Sequence, residues 1–518
     1  MTGELAGQWL WVIYAVGFAC AWGAGERPWL PARWTARTGL WATLLLIPAG
    51  WLWSTRGGPA LDPLGLTASA LVAVLGWAIV RYSARYLDGD AGQARFVRAM
   101  LFTLCMVGIL VASSNLAVIV LAWSGTSIGL HYLLTHYPER KAAQVVAHKK
   151  FLVSRLAEVC LLIALGLIYA AVGSFSLEAL AGHLAGTDSL PASLHIAALL
   201  VALAVILKTA QLPLHGWLIQ VMEAPTPVSA LLHAGVVNIG GLVLIRLATL
   251  LNLAPAAQTL LVLVGSITAV LAGLVMLTRV SIKVRLAWST CAQMGFMLVE
   301  IGLGLYELAL LHLVAHSLYK AYAFLAAGET VRSAGLRNYL PADASSTRSP
   351  AWYLGVPLLT AALVLGSLAA WQWLLPALSV PPAALVILVL GLTALLWLEQ
   401  GREARLMLRA SLQVLALTQL YLLWHTLFAG LAPAPAPAHP GLVAWVLLSF
   451  AALYAAQIWL RYHPRGRIAR TLFPWAYAGF YLDEAFTRTT FKLWPIRLSP
   501  AQAQTLVNRQ SLQKGELL

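Results

Sequence analysis

Charge is what this sequence has least of. Asp, Glu, Lys and Arg supply 10% of its 518 residues, and only 19 of those side chains are acidic against 34 basic ones. A soluble domain carries about 25% charged residues, so a soluble globular enzyme is excluded. Cysteine is as scarce. Cys20, Cys105, Cys160 and Cys291 all fall in apolar stretches without C-x-x-C spacing, which argues against an iron–sulfur or zinc framework. Neither a Walker A loop nor a dinucleotide G-x-G-x-x-G is present, so a bound nucleotide is not the expected energy source. An ion gradient or a partner subunit is, and no cofactor is expected in this chain.

What fills the sequence is apolar length. Residues are 60% hydrophobic and the mean hydropathy is +0.79. Runs of about 20 apolar residues between charged or Pro/Gly-rich breaks predict an all-α polytopic membrane protein with about 15 transmembrane helices. They fall near 6–24, 38–54, 64–82, 97–113, 115–135, 150–173, 193–218, 227–251, 257–278, 285–303, 306–328, 351–375, 383–399, 410–429 and 442–460. The N-terminus has no basic n-region, so the first span reads as a retained helix rather than a cleaved signal.

The net charge of +15 is distributed by loop. Arg27, Arg33 and Arg37 lie in the first loop, Arg81, Arg85, Arg95 and Arg98 in the third, and Arg140, Lys141, Lys149 and Lys150 in the fifth. Arg279, Lys283 and Arg285 lie in the ninth, with Arg332, Arg337 and Arg348 in the eleventh. The short seventh loop has no basic residue; even-numbered loops such as Gly173–Pro191 are neutral or mildly acidic. The positive-inside rule puts odd loops in the cytoplasm, the N-terminus outside and the C-terminus inside. Nucleic acid is not an expected partner.

The few charges inside the spans therefore carry the information. Lys208 sits mid-span, where a lysine costs about 2.5–3.5 kcal/mol on insertion scales. Pro213, five residues on, should break the helix beside it. Glu158 is either the ion-pair partner of Arg155, at i−3 on its own helix, or a carboxylate for Lys208 one helix away. His233 begins a span entered through Pro225 and Pro227, which preset the backbone; it reads as a relay, with a buried core histidine as the alternative. His312, His316 and Lys320, spaced by four, share one helix face. His-x3-His can bind zinc, but Leu313-Val-Ala315 lacks the glutamate of H-E-x-x-H. Imidazoles leading to an amine inside the bilayer read better as a proton wire. His131 is divided between relay and core, and Glu300 between a pathway mouth and an interfacial residue.

Several segments carry a resemblance. Gln211-Leu-Pro-Leu-His-Gly-Trp-Leu218, Ala224-Pro-Thr-Pro-Val-Ser-Ala-Leu-Leu-His233, Ala287-Trp-Ser-Thr-Cys-Ala-Gln-Met-Gly-Phe-Met297, His312…His316…Lys320 and Tyr82-Ser-Ala-Arg-Tyr-Leu-Asp-Gly-Asp90 resemble the antiporter-like membrane subunits. That family includes the large proton-pumping subunits of respiratory complex I and the Mrp cation/proton antiporters. The resemblance covers residues 80–335 well and implies two inverted five-helix repeats, near spans 4–8 and 9–13, with a broken helix in the first. It matches Lys208 to the lysine of that broken helix, His233 to the connecting residue, and His312, His316 and Lys320 to the central polar axis. Implied units are 1–96, N-terminal helices; 97–252, the first repeat; 253–400, a degenerate second repeat; 401–463, C-terminal helices; and 464–518, a cytoplasmic amphipathic tail.

Two departures stand out. The family's Trp-Glu on the fifth helix reads Ala122-Trp-Ser-Gly125 here, so Ser124 replaces the acid and Glu158 is the candidate substitute. The twelfth span contains no Lys, Asp or Glu where the family's second broken helix carries one. The branch that tolerates such departures is the membrane subunit of DAB-type inorganic-carbon accumulation complexes, whose tails Ala478-Gly-Phe-Tyr-Leu-Asp-Glu-Ala-Phe486 and Phe491-Lys-Leu-Trp-Pro495 resemble. That resemblance implies a subunit of the bacterial inner membrane that conducts protons or Na+. It is not itself an enzyme, and energises CO2/bicarbonate accumulation by a peripheral, zinc-containing β-carbonic-anhydrase-like partner. The tail is either an interfacial anchor or the docking surface, through Phe480, Tyr481, Asp483, Glu484 and Trp494. The alternatives are a pumping subunit of a complex I or membrane-hydrogenase redox complex, and an Mrp-type Na+/H+ antiporter.

Overall fold

The computed structural model describes residues 2–25, 27–55, 62–187, 189–330, 350–398, 404–428, 430–431, 433, 438–463 and 466–494. Among them there is no strand, only an isolated antiparallel bridge between Asn115 and Ser176. The helices are α1 (Thr2–Cys20), α2 (Trp29–Thr55), α3 (Pro63–Tyr86), α4 (Gln93–Ala112), α5 (Leu116–Leu134), α6 (Lys141–Val172), the short α7 (Leu177–Leu184) and α8 (Ala192–Lys208). Next come α9 (Gly216–Ile219), α10 (Thr226–Ala234), α11 (Ile239–Arg246), α12 (Ala248–Asn252), α13 (Pro255–Leu277), α14 (Ile282–Gly302) and α15 (Tyr306–Leu325). The chain continues with α16 (Pro350–Leu374), α17 (Pro382–Leu398), α18 (Ala404–Phe428), α19 (Pro440–Tyr462), α20 (Arg467–Tyr477) and α21 (Leu482–Leu493). The apolar stretches read from hydropathy overlap these helices, and two of them, 193–218 and 227–251, are broken across more than one. Among the described residues, ten segments are long and apolar enough to cross a bilayer, and Trp9–Cys20, Ala192–Lys208 and Pro382–Thr393 are shorter apolar helices.

The bundle exposes large apolar side chains and buries a few charged ones inside an apolar core. Leu45, Leu121 and Tyr322 are each about 70% exposed, an arrangement that fits lipid rather than water. Lys149, Lys208, Glu158, His233 and Lys320 are buried. Helix ends follow local chemistry: the Asn115 side chain accepts from the Ala117 and Val118 amides at the start of α5, and Gly173, at φ 73°, closes α6 in the left-handed region. Where α13 crosses α14, Gly265 and Gly295 face each other's backbone; a Cβ on either would lie within 2.6 Å of the other's carbonyl oxygen. Only small residues allow so close a crossing.

Contacts between loops sort by parity. Arg95 of the third loop reaches Thr135 at the fifth, Arg140 of the fifth reaches the Glu223 carbonyl in the seventh, and Arg279 of the ninth lies over Tyr477 of the tail. On the other side, Arg246, the last residue of α11 within the eighth span, bonds Asp62 in the second loop and the Val111 carbonyl near the fourth. Tyr306 of the tenth loop bonds Asn252 of the eighth, and Glu307 accepts from the Gly430 amide of the fourteenth. In these contacts odd loops meet odd loops and even meet even. We refer to the odd side as the basic face. Arg332, Arg337, Arg348 and residues 495–518, all part of the sequence expectations, lie outside the described residues.

Candidate ion pathway

The helix break expected at Pro213 is there. α8 stops at Lys208, Ala210 takes a left-handed φ of 56°, the Leu212–Pro213 peptide is cis, and helix resumes only at Gly216. The Lys208 ammonium thus lies at a helix C-terminus, where the partial negative charge of the last carbonyls favours a cation. It is 3.5 Å from Glu158 Oε1, 3.4 Å from Ser127 Oγ and 4.7 Å from the centre of the Trp123 ring. Glu158 also accepts from Arg155 Nη2 at 2.8 Å. Both sequence readings of Glu158 therefore coexist: one carboxylate oxygen is shared between a fixed guanidinium and the amine. Ser124, in place of the family's acid, turns its hydroxyl onto the Val120 carbonyl. Ser127, one turn on, is the α5 residue that meets the lysine.

His233 lies elsewhere. Its ring stacks on Phe324 of α15 at 4.4 Å, and no hydrogen bond or ion pair joins it to Lys208 among the described residues. Pro225 and Pro227 start α10 as expected, but a second interruption follows that no proline announces. Helix gives way at Gly235 to a 3-10 turn, Val236–Asn238, before α11. Asn238 from this break donates to Ser317 Oγ of α15 at 2.7 Å.

Along α15 the polar residues form a file. Glu300 Oε2 is 2.8 Å from His312 Nδ1, and the His312 and His316 rings are 5.9 Å apart. Lys320 donates to the Leu286 carbonyl at 3.0 Å and to Ser289 Oγ. Glu300 is thus joined to the axis. His312 Nε2 and both nitrogens of His316 and His233 are buried without a protein partner. Buried polar atoms almost always have one, from protein or water. Five such nitrogens in one region call for bridging water, the medium through which imidazoles pass protons.

A third cluster, on the basic face, went unread in the sequence. Lys149 and Lys150, taken there as loop residues, lie on α6 and are buried. Lys150, Ser154 and Glu158 are buried on one face at successive fours, so the backbones of Lys150 and Glu158 are about 12 Å apart along the helix. Lys149 donates to Asp483 Oδ2 of the tail helix α21 at 2.7 Å and to Gln220 at 3.1 Å. His131 belongs to this end: its ring packs edge-on to Phe151, beside which Trp494 packs and stacks on His148 at 4.0 Å. Of the residues expected to dock a partner, Asp483, Phe480 and Trp494 pack onto the chain's own helices, Phe480 among Trp288 and Cys291. Tyr481 and Glu484 face out, Glu484 paired with Arg488. Grouping Lys149 and Lys150 with Arg140 and Lys141 as one basic loop masked them; the tail contact lies 334 residues away in sequence and has no local signal. No group of three His, Cys, Asp or Glu poised for a metal occurs among the described residues.

Residues 113–396 match the family described as NADH:quinone oxidoreductase/Mrp antiporter, TM, and residues 57–97 match the complex I chain 5 N-terminus. The chain is 42% identical over 447 residues to the "Probable inorganic carbon transporter subunit DabB" of Hydrogenovibrio crunogenus, covering 85% of this chain and 84% of that one. It is 39% identical over 476 residues to the corresponding DabB2 of Halothiobacillus neapolitanus, covering 88% and 85%. The chloroplastic NAD(P)H-quinone oxidoreductase subunit 5 of Nephroselmis olivacea is 33% identical over 61% of this chain and 51% of its own. In fold, the chain is similar over its whole length to 60% of a chain of the Mrp complex from Dietzia sp. DQ12-45-1b, at 23% identity and TM-score 0.60. An archaeal membrane-bound sulfane sulfur reductase matches at 17% identity and TM-score 0.57, over 94% of this chain and all of that one. With its broken helix, buried amine and family match over more than half its length, the chain belongs to the NADH:quinone oxidoreductase/Mrp antiporter family of transmembrane subunits.

Proposed function

We propose that this chain conducts protons, or Na+, across the bacterial inner membrane and so energises inorganic-carbon accumulation by a peripheral subunit. In this reading that subunit is zinc-containing and β-carbonic-anhydrase-like, and it hydrates CO2 to bicarbonate. The conducting chain performs no chemistry of its own. The single observation that carries the pathway is the shared carboxylate: Glu158 sits between Arg155 and Lys208. Shifting it toward either cation changes how firmly the amine holds its proton, as a relay needs. The substrate rests on the two DabB relatives, which match this chain over 85% and 88% of its length.

The ion enters at Glu300 and His312, passes His316, His233 and Lys320, uses the Lys208 site, and leaves on the basic face, with either order inside the membrane. The basic face is cytoplasmic, with the N-terminus outside, fifteen crossings, and two inverted five-helix repeats over 97–252 and 253–400. The second repeat is the weaker half, since α16 is an uninterrupted helix without Lys, Asp or Glu. That same degeneracy weighs against a redox pump or a stand-alone antiporter, each of which would use both halves.

Lys208→Ala should abolish gradient-dependent bicarbonate accumulation by cells while the complex still assembles. Normal accumulation would remove the pathway assignment. Purifying the tagged chain with its partners and measuring metal separates the readings: a soluble zinc protein supports carbon uptake, and quinone-module subunits support the pump.

A further inference from the structure

The tail helix α21 does more than cover the bundle. Asp483 Oδ2 takes donors from Lys149 at 2.7 Å, Gln220 at 3.0 Å and Thr487 at 3.2 Å. Its other oxygen, Oδ1, is buried and has no partner. That oxygen occupies the space a side chain at position 216 would need: a Cβ built on Gly216 would lie 1.6 Å from it. So α21 sets a carboxylate against Gly216, where helix resumes after the break, eight residues beyond Lys208. Two buried groups border the same segment: His215, whose ring packs on Trp288, and Lys150, whose ammonium lies 6.0 Å from the centre of the Trp217 ring. Lys150 has no ion-pair partner among the described residues and shares a buried face of α6 with Ser154 and Glu158. A carboxylate with one oxygen saturated and one free, at the end of a line of buried amines, can pick up or release a proton at the free oxygen.

We propose that Asp483 is the basic-face terminus of the Lys208 pathway, exchanging protons between Lys150 and the aqueous phase, with Lys149 and Gln220 as positioning residues. This rests on the pathway reading above. It reassigns Asp483 from partner docking to transport. It also makes α21, whose outer face carries Tyr481, Glu484 and Arg488, the element through which anything bound on that face would act on the ion path.

The test is proton flux into membrane vesicles holding the intact complex, compared for wild type, Asp483→Asn and Lys208→Ala. Asparagine keeps an acceptor for Lys149 and Gln220 but cannot carry the proton. Trypsin cleavage at Arg488 and Lys492 reports whether α21 stays seated. The expected result is at least a tenfold loss of flux in Asp483→Asn with wild-type cleavage. Normal flux in Asp483→Asn while Lys208→Ala is dead overturns the Asp483 assignment and leaves the pathway standing. Normal flux in both overturns the pathway reading itself. A flux loss accompanied by fast cleavage shows a structural tether and also overturns the assignment.

A second site stands on separate ground. Between α2 and α3 the buried Ala36 and Val80 floor a cavity of about 330 Å³ whose walls are Arg33, Arg37, Arg81, Arg85 and Trp77. None of the four arginines has an ion pair with an acid among the described residues, and Arg81 lies over the Trp77 ring. Sorting charge by loop needs arginines near the interface, but it does not need four of them around one hollow, where they repel. Guanidinium forks match phosphate oxygens, and basic pockets between helices on this face take anionic headgroups. We infer that this groove holds the phosphodiesters of an anionic phospholipid, its chains lying along the exposed apolar Trp34 and Trp41 of α2. Native mass spectrometry of the full chain with added cardiolipin, phosphatidylglycerol, phosphatidylcholine or inorganic phosphate tests this. Cardiolipin and phosphatidylglycerol should be retained, and Arg81→Gln/Arg85→Gln should lower their occupancy about tenfold with phosphatidylcholine unaffected. Equal retention of phosphatidylcholine, unchanged binding in the double variant, or binding of inorganic phosphate alone would overturn it.

Discussion

At Lys208 three weak partners replace one strong one. Glu158 at 3.5 Å is shared with Arg155, Ser127 is a neutral acceptor, and the Trp123 face adds a cation–π contact. Removing the carboxylate leaves the buried Lys208 ammonium unmatched beside a part-exposed guanidinium, and breaking a buried pair costs about 3–5 kcal/mol. Glu158→Gln should therefore lower the melting temperature of the detergent-purified protein and abolish proton flux. Ser124 lies one turn before Ser127 on α5, the side from which the family's acid reaches its lysine. Adding Ser124→Glu to Glu158→Gln should restore flux to a sizeable fraction of wild type. Failure to restore it, in a double variant that folds, would show that Glu158 does not stand in for that acid. The sequence exposed Lys208 and Glu158 because a charge is conspicuous in an apolar run. Ser127 stayed invisible because serine is cheap in a membrane helix, and Lys150 because it was grouped with Arg140 and Lys141 as one basic loop.

Helices here are shaped by glycine and proline as much as by apolar length. Pro213 foretold the gap after α8, whereas the interruption after His233 rests on Gly235 and Asn238, whose sequence context of Val236 and Val237 looks like ordinary span. Periodicity could not find it, because the break is held by Asn238 bonding Ser317 on another helix. The fold-back of α21 onto α6 was equally illegible, being a contact between the middle and the end of the chain. At the α13–α14 crossing the cost of a larger residue can be read directly. A Cβ at Gly295 meets the Gly265 carbonyl at 2.6 Å and the Ala269 amide at 2.8 Å, backbone atoms that cannot turn aside. Gly295→Val should destabilise by about 1–3 kcal/mol through overpacking, seen as a lower melting temperature. Gly166→Ala on α6, with nothing within 4 Å of its Cβ, should be neutral or stabilising by about 0.5–1 kcal/mol. Equal melting of both variants would contradict the close crossing.

For the molecule as a whole, orientation decides the direction of everything proposed. Loop charge foretold which loops share a side, and the contacts of Arg95, Arg140 and Arg279 on one face and of Arg246 and Tyr306 on the other agree with it. Contacts fix parity but not which face meets the cytoplasm; that comes from the basic excess alone. Two exposed positions separate the outcomes: Glu178, on α7 in the sixth loop, and Lys141, at the start of α6 beside the fifth. In a chain with its four native cysteines replaced, Glu178→Cys should react with a membrane-impermeant maleimide in intact cells. Lys141→Cys should react only after permeabilisation. Because Asp483, Lys149 and the arginine groove all lie with the odd loops, one reversed labelling pattern would move them all outside together. The tail could then meet no cytoplasmic subunit, and the flow would run from Asp483 toward Glu300.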